Sequence, residues 1–333
     1  MKETVKIKKW QLIRYASKKE VVDLSDTEFI SVGKRAFWRR DRLEELTLPS
    51  GVSAIKTEAF HGCKRLKRLA LSSDCNIGIA AGAFQNCRRL SEIEAFGSIT
   101  SIGKNAFAGC QSLREIEPGD DLKSIGEGAF RNCTSLEELI LPHNVQAIGK
   151  AAFRGCTELR RVEIHSPTLA TETFRGDISL QEIEFSSLIK EIPRGCFAEC
   201  SALSSLEIPS SVKALKGGSF WDCTRLETVK LGFGVTSVGA LAFAKNSRLT
   251  RVEMPHSVKR LGFGAFGLGK TKEQKIEIAV DSEYMQKRIK RLLLLCGSAG
   301  RATVTFEGKT VEQRKRERRR STLEQTPTHL TNP

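Results

Sequence analysis

Phenylalanine recurs along this chain at a nearly constant interval, which limits what the chain can fold into. Eleven of its 17 phenylalanines are separated by steps of 23, 24, 23, 23, 23, 21, 23, 23, 23 and 23 residues. They are Phe37, Phe60, Phe84, Phe107, Phe130, Phe153, Phe174, Phe197, Phe220, Phe243 and Phe266. A period of roughly 20–50 residues indicates stacked structural units. We therefore predict one quasi-one-dimensional array, although 333 residues would ordinarily suggest two domains.

Each copy repeats the same apolar spacing around its phenylalanine, which we number place zero. Place three is Cys in seven copies, and place six is Leu in ten. Places nine and eleven are apolar in most copies, as in Leu69 and Leu71, and they alternate with polar residues. This alternation predicts a strand of about four residues, paired in parallel with its neighbours and ended by a proline such as Pro142. The pair Ile125-Gly126 and its equivalents predict a turn back across the coil.

The full pattern resembles the BspA-like subclass of the leucine-rich repeat family. The family pattern Ile-Gly-x-x-Ala-Phe-x-x-Cys-x-x-Leu-x-x-Ile-x-Leu-Pro-x-x-Val matches Ile125 to Val145 nearly residue for residue, and copies extend from about Phe29 to Phe266. The resemblance implies a repeat solenoid, a curved right-handed leucine-rich-repeat coil with a parallel β-sheet on the concave side. It also implies that the concave face binds a ligand or a protein, often in surface adhesion.

Departures from the pattern predict where the array is irregular and where it ends. One interval is two residues short, and another carries an extra residue near Cys75, so we expect local kinks or bulges there. Trp10–Tyr15 and Val21–Leu24 alternate and predict a hairpin-like start, whereas apolar residues 285, 289, 292 and 293 predict a closing helix. The expected divisions are 1–28, an N-terminal β-hairpin-like cap; 29–269, the solenoid of about 11 repeats; 270–310, a C-terminal cap with strands Ile276–Val280 and Ala302–Phe306 around helix Ser282–Leu295; and 311–333, a basic, disordered tail.

The cysteine column predicts a structural ladder rather than a metal site. Equivalent residues of stacked coils lie in a straight row, whereas zinc needs ligands that converge on one point. Off this column, Cys75, Cys196 and Cys296 carry no sign of a lowered pKa, and whether they are reactive is left open. We therefore expect no metal, no cofactor and no catalytic residue.

A nucleotide-binding loop is the strongest competing motif, and its context argues against it. Gly264–Thr271 satisfies G-x-x-x-x-G-K-[ST], yet its Phe266 is in register with the other repeat phenylalanines. Only Lys272–Lys275 separates the motif from the next strand, too few residues for a helical crossover. The five histidines do not cluster along the chain, so we predict that the protein is not an enzyme.

Charge is distributed unevenly between the strand faces and the rest of the chain. Places eight and ten should face outward on the concave sheet, where eleven Glu and four bases give −7 in a chain of +15. The predicted partner-binding residues are Glu45, Arg68, Glu92, Glu94, Glu115, Glu117, Glu138, Arg161, Glu182, Glu184, Glu207 and Arg251, within a row that also holds Glu163, Lys230 and Glu253. Two interpretations stay open: a solvated strand face, or an acidic surface that selects a cationic segment of another protein.

The C-terminal tail carries the opposite charge. Its basic cluster comprises Arg314, Lys315, Arg316, Arg318, Arg319 and Arg320. It is either a solvated tail, a nuclear-import type of signal, or a contact with nucleic acid or an anionic surface. Nucleic acid is expected through the tail only, since phosphates would meet glutamate rows on the concave face.

The sequence as a whole therefore predicts a non-enzymatic protein-interaction scaffold of the ligand-binding or adhesion type. The alternative is an anionic-surface or nucleic-acid binder that acts through the basic tail. No transmembrane span and no signal peptide are evident, so the expected location is cytoplasmic, or nuclear if the tail is a targeting signal.

Overall fold

The repeat folds as a coil that contributes two strands in most of its turns. The computed structural model describes residues 19–267, 276–295, 302–306 and 309–310, with residues 313 and 316 singly. The helix α1 spans Glu283–Leu295. In chain order the strands are β1 Val21–Asp23, β2 Ser31–Val32, β3 Glu45–Thr47, β4 Ala54–Ile55, β5 Arg68–Ala70, β6 Ile77–Ile79, β7 Glu92–Glu94, β8 Ile99–Ile102, β9 Ser124–Ile125, β10 Glu138–Leu141, β11 Ala147–Ile148, β12 Arg161–Ile164, β13 Glu182–Phe185, β14 Glu191–Ile192, β15 Ser205–Ile208, β16 Ala214–Leu215, β17 Thr228–Leu231, β18 Ser237–Val238, β19 Arg251–Met254, β20 Arg260–Leu261, β21 Ile276–Val280, β22 Ala302–Phe306 and β23 Lys309–Thr310.

The strands stack in two columns. The long-strand column forms three parallel sheets in series, β1-β3-β5-β7, β10-β12-β13 and β15-β17-β19-β21-β22, and β23 adds antiparallel to the last. The short-strand column forms β2-β4-β6-β8-β9-β11 and β14-β16-β18-β20. Strands β10, β15, β17 and β19 alternate between exposed and buried residues, as predicted for places eight to eleven. The repeat phenylalanines number the coils from one to eleven.

The short-strand column was not predicted. Ile125 ends the two-residue strand β9, and the turn begins only at Gly126. A Cβ on Gly126 would lie 2.6 Å from the carbonyl carbon of Gly103 in the preceding coil. Glycine is therefore required here because two backbones approach closely, and not because the chain reverses at that residue.

The core is a continuous stack of phenylalanine rings. All eleven repeat phenylalanines are at most 1% exposed, and successive ring centroids lie 4.8–5.6 Å apart. Interplanar angles of 1–16° make every neighbouring pair a stacked one. The place-six leucines from Leu43 to Leu249 are buried beside the stack. The column that fixes the period of the sequence is thus also the axis of the core.

Both irregular intervals disturb the ladders locally, as predicted. The register between β6 and β8 shifts between Ile77 and Gly78, directly after the extra residue near Cys75. The short interval between Phe153 and Phe174 contains no short strand, and the short-strand column breaks there.

Beyond the last repeat phenylalanine, the sheet continues. Strand β21 pairs in parallel with β19, and β22 pairs in parallel with β21 after the chain has passed through α1. Met285, Ile289 and Leu293 of α1 are buried, which confirms the predicted helical stripe. At the other end, Val21–Asp23 pairs in parallel with β3, whereas the predicted hairpin partner Trp10–Tyr15 lies outside the described residues.

Candidate binding face

The outward side chains of the long strands form the surface that the sequence singles out, and we call it the long-strand face. It comprises places eight and ten of coils one to ten, including the twelve predicted partner-binding residues. Strand register brings equivalent places side by side: Glu45 lies opposite Arg68, and Arg68 lies opposite Glu92. These pairings decide which of the glutamates remain available to a partner.

In the first three coils, one arginine pairs with the three glutamates around it. The guanidinium of Arg68 bonds to Glu94 and lies 3.6 Å from Glu92 and 3.9 Å from Glu45. The hydrogen bond from Arg68 to Glu94 is the main cause that raises the pKa of Arg68. Here the face behaves as a salt-bridged sheet surface, which corresponds to the solvated-face interpretation.

Three further bases do the same in the coils beyond the middle of the array. Arg161 Nη2 lies 2.8 Å from both Glu163 and Glu184, and Arg161 Nε lies 3.5 Å from Glu182. Lys230 Nζ is 2.7 Å from Glu207, and Arg251 is 3.4 Å from Glu253 and 3.0 Å from Glu277. The four bases thus lie within 4 Å of eight of the eleven glutamates, and the count of −7 does not show this pairing.

Coils four and five are the exception. Glu115, Glu117 and Glu138 are exposed and form no ion pair with any residue of the described chain. They border a cleft of about 450 Å³ that is also lined by Pro118, Asp120, exposed Ile140 and the stacked rings of His143 and His165. We call Glu115, Glu117 and Glu138 the unpaired glutamate group.

The cleft exists because coil four has no long strand. Place eleven, apolar in the regular copies, is Ala95 in coil three and Pro118 in coil four. Ala95, directly after β7, adopts a left-handed φ of 56°, and Pro118 has no N–H to donate to a ladder. Phe96, one place later, turns inward instead and contacts Phe107 and Phe130. Glu115 and Glu117, predicted on a strand, therefore lie on irregular backbone.

The cysteine column bonds backbone carbonyls, as expected of a structural ladder. Each place-three thiol donates to the carbonyl of the phenylalanine in the preceding coil, for example Cys63 to Phe37 at 3.0 Å and Cys133 to Phe107 at 3.2 Å. Where Cys is replaced, Asp177 Oδ1 accepts from the Cys156 N–H and Asn246 Oδ1 from the Cys223 N–H, both at 2.8 Å. Among the described residues, no group of three or more His, Cys, Asp or Glu could hold a metal ion.

Burial makes the ladder thiols poor nucleophiles. It raises the pKa of Cys133 and Cys223 to about 12, and it raises the pKa of the off-column Cys196 as well. Cys75 is only partly buried, and Cys296 lies outside the described residues. Although Cys196 lies off the column, burial protects its thiol from reaction as it does the ladder thiols.

We expect at most two of the ten cysteines to react rapidly with a thiol-specific disulfide reagent in the native protein, because eight are buried. All ten should react in denaturant, and the count is read from the released chromophore. Cys75→Ser combined with Cys296→Ser should remove the rapid phase. A rapid phase that persists in this double variant would show that the column opens in the native state.

The described part of the nucleotide-loop motif, residues 264–267, folds as part of the repeat array. Phe266 stacks on Phe243 at 5.6 Å, and Gly264 takes the same left-handed place as its equivalents in other coils. The rest of the motif, from Leu268 to Thr271, lies outside the described residues, as does the basic cluster of the tail except for the exposed Arg316. No helix in the described ranges combines the length and apolar character that a bilayer crossing requires.

The geometry defines the chain as a parallel-strand solenoid of about 12 turns with little helix. Residues 15–78, 77–171 and 165–277 match the BspA type leucine rich repeat region. The chain belongs to this family, which confirms the resemblance inferred from the repeat pattern. No curated protein matches the chain.

Solved structures of bacterial leucine-rich repeat proteins are similar to it. One from Bacteroides ovatus is 22% identical, covering 71% of this chain and 87% of its own, with a TM-score of 0.39. A leucine rich cell surface protein from Faecalibacterium prausnitzii is 22% identical, covering 68% and 83%, with a TM-score of 0.32. The leucine-rich repeat protein of T. pallidum is 28% identical, covering 62% and 77%, with a TM-score of 0.36.

Proposed function

We propose that this protein is a non-enzymatic scaffold that binds another protein on its long-strand face, with the unpaired glutamate group as the centre of the site. The observation that carries the proposal is which glutamates form ion pairs and which do not. Glutamates elsewhere on this face have a base within 4 Å, whereas Glu115, Glu117 and Glu138 have none within residues 19–267. Membership of a repeat family whose members are generally binding scaffolds supports the coarser part of the proposal.

The chemistry of the cleft favours an extended basic segment as the partner. Three unpaired carboxylates attract Lys or Arg side chains and select against acidic segments through charge complementarity. Exposed Ile140 lies within the same border and offers apolar contact to the stem of a long basic side chain. Because coil four contributes no long strand beside β10, the cleft provides depth that a flat sheet face lacks.

Charge reversal of the unpaired group tests the proposal. We expect Glu115→Lys, Glu117→Lys and Glu138→Lys together to weaken binding of a fluorescent Lys/Arg-rich peptide at least about 10-fold at low salt. The matched control is Glu28→Lys, Asp74→Lys and Glu158→Lys, three exposed carboxylates away from this face. The control should bind within about 3-fold of the wild type, since only long-range charge differs.

Equal losses in the two variants would show that the peptide responds to net charge alone. Unchanged affinity in the variant of the unpaired group would refute the proposed site. All six residues are exposed, so thermal melting should show that both variants are folded.

The second candidate function is an anionic-surface or nucleic-acid binder that acts through the tail. The dense basic cluster at Arg314–Arg320 favours it. Deletion of residues 311–333 separates the candidates: peptide binding should survive if the long-strand face carries it. The expected cytoplasmic or nuclear location belongs to the same proposal, and imaging of the tagged chain with and without Arg314–Arg320 tests it.

A further inference from the structure

A second charged surface lies at the turns that precede the long strands of the first three coils. Places four and five of these coils hold five bases and one acid, all exposed: Asp41, Arg42, Lys64, Arg65, Arg88 and Arg89. We call the five bases the basic turn cluster. In coils four to ten, the same fourteen places hold only Arg225 and Arg248 as bases. The concentration is therefore local to one end of the array.

Other coils use place four for a structural purpose. Thr134 Oγ1 donates to the carbonyl of Gln111 at 3.3 Å, and Thr157 Oγ1 donates to that of Thr134 at 3.4 Å. Ser201 and Ser247 make the equivalent bond to the preceding coil. A hydroxyl at this place thus links neighbouring coils. Lys64 and Arg88 stand where that hydroxyl would be, so stacking of the coils does not explain the choice of these bases.

The cluster also stacks like charges at short range. The phenylalanines of coils one to three lie 4.8 and 5.0 Å apart, which sets the spacing of equivalent turns. Like charges on directly opposite neighbours destabilise a stacked backbone. Glu44 compensates Arg65 and Lys67, but Arg42 and the other three bases of the cluster form no ion pair within residues 19–267.

An exposed aromatic ring lies next to the cluster in sequence. Trp38, four residues before Arg42, is 42% exposed, and the Arg39 guanidinium lies 4.8 Å from its ring centroid. Proteins that bind single-stranded nucleic acid without sequence preference combine a positive track along the backbone with aromatic rings on which bases stack. Cluster and ring together provide both elements.

We propose that the basic turn cluster binds the phosphate backbone of a single-stranded nucleic acid, with Trp38 stacking on a base. The equivalent bases of successive coils lie in a row along the solenoid axis, which fits a linear polyanion with one charge per nucleotide better than a planar membrane surface. The site is separate from the long-strand face and from the tail, so this proposal stands or fails independently of the proposed function.

Replacing the cluster by the residues that other coils use gives a sharp test. The cluster variant is Arg42→Ser, Lys64→Thr, Arg88→Thr and Arg89→Ser. Fluorescence anisotropy with labelled RNA and DNA single strands of about 16 nucleotides is measured between about 50 and 200 mM salt. We expect the variant to bind at least about 10-fold more weakly, and its log–log salt slope to fall by about 3, or about 0.7 per lost phosphate contact. The two strand types distinguish RNA from DNA as the source of the phosphates.

The control removes four bases from the short-strand side. It carries Lys190→Thr, Lys213→Thr, Lys259→Thr and Arg260→Ser, all exposed and without an ion pair in residues 19–267. It should bind within about 3-fold of the wild type, although its net charge equals that of the cluster variant. Trp38→Leu should weaken binding about 5-fold or more with an unchanged salt slope.

Three outcomes would overturn the proposal. The first is an equal loss in the two four-base variants, which would indicate net charge alone. The second is binding that disappears only when residues 311–333 are deleted. The third is a cluster variant that no longer binds phosphatidylserine vesicles but retains the oligonucleotide, which would assign the cluster to a membrane surface.

Discussion

Phe130→Ala is expected to lower the free energy of unfolding by about 3–5 kcal/mol, because it removes a fully buried ring from the middle of the core. The loss also breaks two stacked contacts, with Phe107 at 5.3 Å and with Phe153 at 5.1 Å. Chemical denaturation of the variant and the wild type measures the difference. A variant whose free energy of unfolding lies within about 1 kcal/mol of the wild-type value would contradict a core built around the stack.

The loss of stability also depends on which coil of the array loses its phenylalanine ring. In a one-dimensional array, stability is approximately a sum over units and nearest-neighbour interfaces, so an internal substitution damages two interfaces and a terminal one damages a single interface. Phe37→Ala should therefore cost less than Phe130→Ala, because within residues 19–267 its ring stacks on Phe60 alone. Phe263→Ala, at a side chain 75% exposed, is the control and should be nearly neutral.

Asp177→Asn is expected to stabilise the protein increasingly as pH rises. Burial raises the pKa of Asp177 well above its usual value, although N–H groups of Cys156 and Gly155 bond to it. The folded protein then keeps a proton that the unfolded chain loses, so stability falls with rising pH between the two pKa values. The slope in that window is about 1.4 kcal/mol per pH unit, and it is absent below the unfolded pKa.

Asn246 supplies the reciprocal control. Its Oδ1 accepts the N–H of Cys223 at 2.8 Å, the same bond that Asp177 Oδ1 makes with Cys156, but through a neutral amide. Urea unfolding between about pH 4 and pH 8 should show a widening gap between the wild type and Asp177→Asn. Asn246→Asp should destabilise the protein further, and this loss of stability should also grow as pH rises. Parallel pH profiles for the wild type and Asp177→Asn would refute a buried, protonated Asp177.

The sequence predicts the repeat, the core and the long strands because these depend on patterns that recur in every copy. Val162 and Ile164 alternate with Arg161 and Glu163 and lie in β12 as predicted. The short strands were missed because a two-residue strand such as Ala147–Ile148 is too short to show any alternation. The sequence did predict the turn that follows Ile148, but placed its start one residue too early.

The pattern of ion pairs could have been found in part. The repeat intervals of 23 and 24 residues place Glu45, Arg68 and Glu92 in register, so the sequence contains the information that Arg68 lies between two glutamates. Pro118 at place eleven was equally visible as a signal that coil four lacks a strand. The reach of the Arg68 guanidinium to Glu94, and the inward turn of Phe96, depend on side-chain conformations that no spacing rule provides.

The seam between coils seven and eight differs from the rest of the array in how it would carry mechanical load. Strand β13 does not pair with β15. No short strand precedes Phe174, so β14, which precedes Phe197, has no partner on this side. Within residues 19–267, no strand ladder therefore crosses this seam. The Phe174–Phe197 stack, turn bonds such as Phe174 N–H to the Cys196 carbonyl at 2.8 Å, and the Arg175–Glu199 ion pair hold it instead. A solenoid pulled from its two ends should yield there first, giving two shorter stacks that unravel in separate steps.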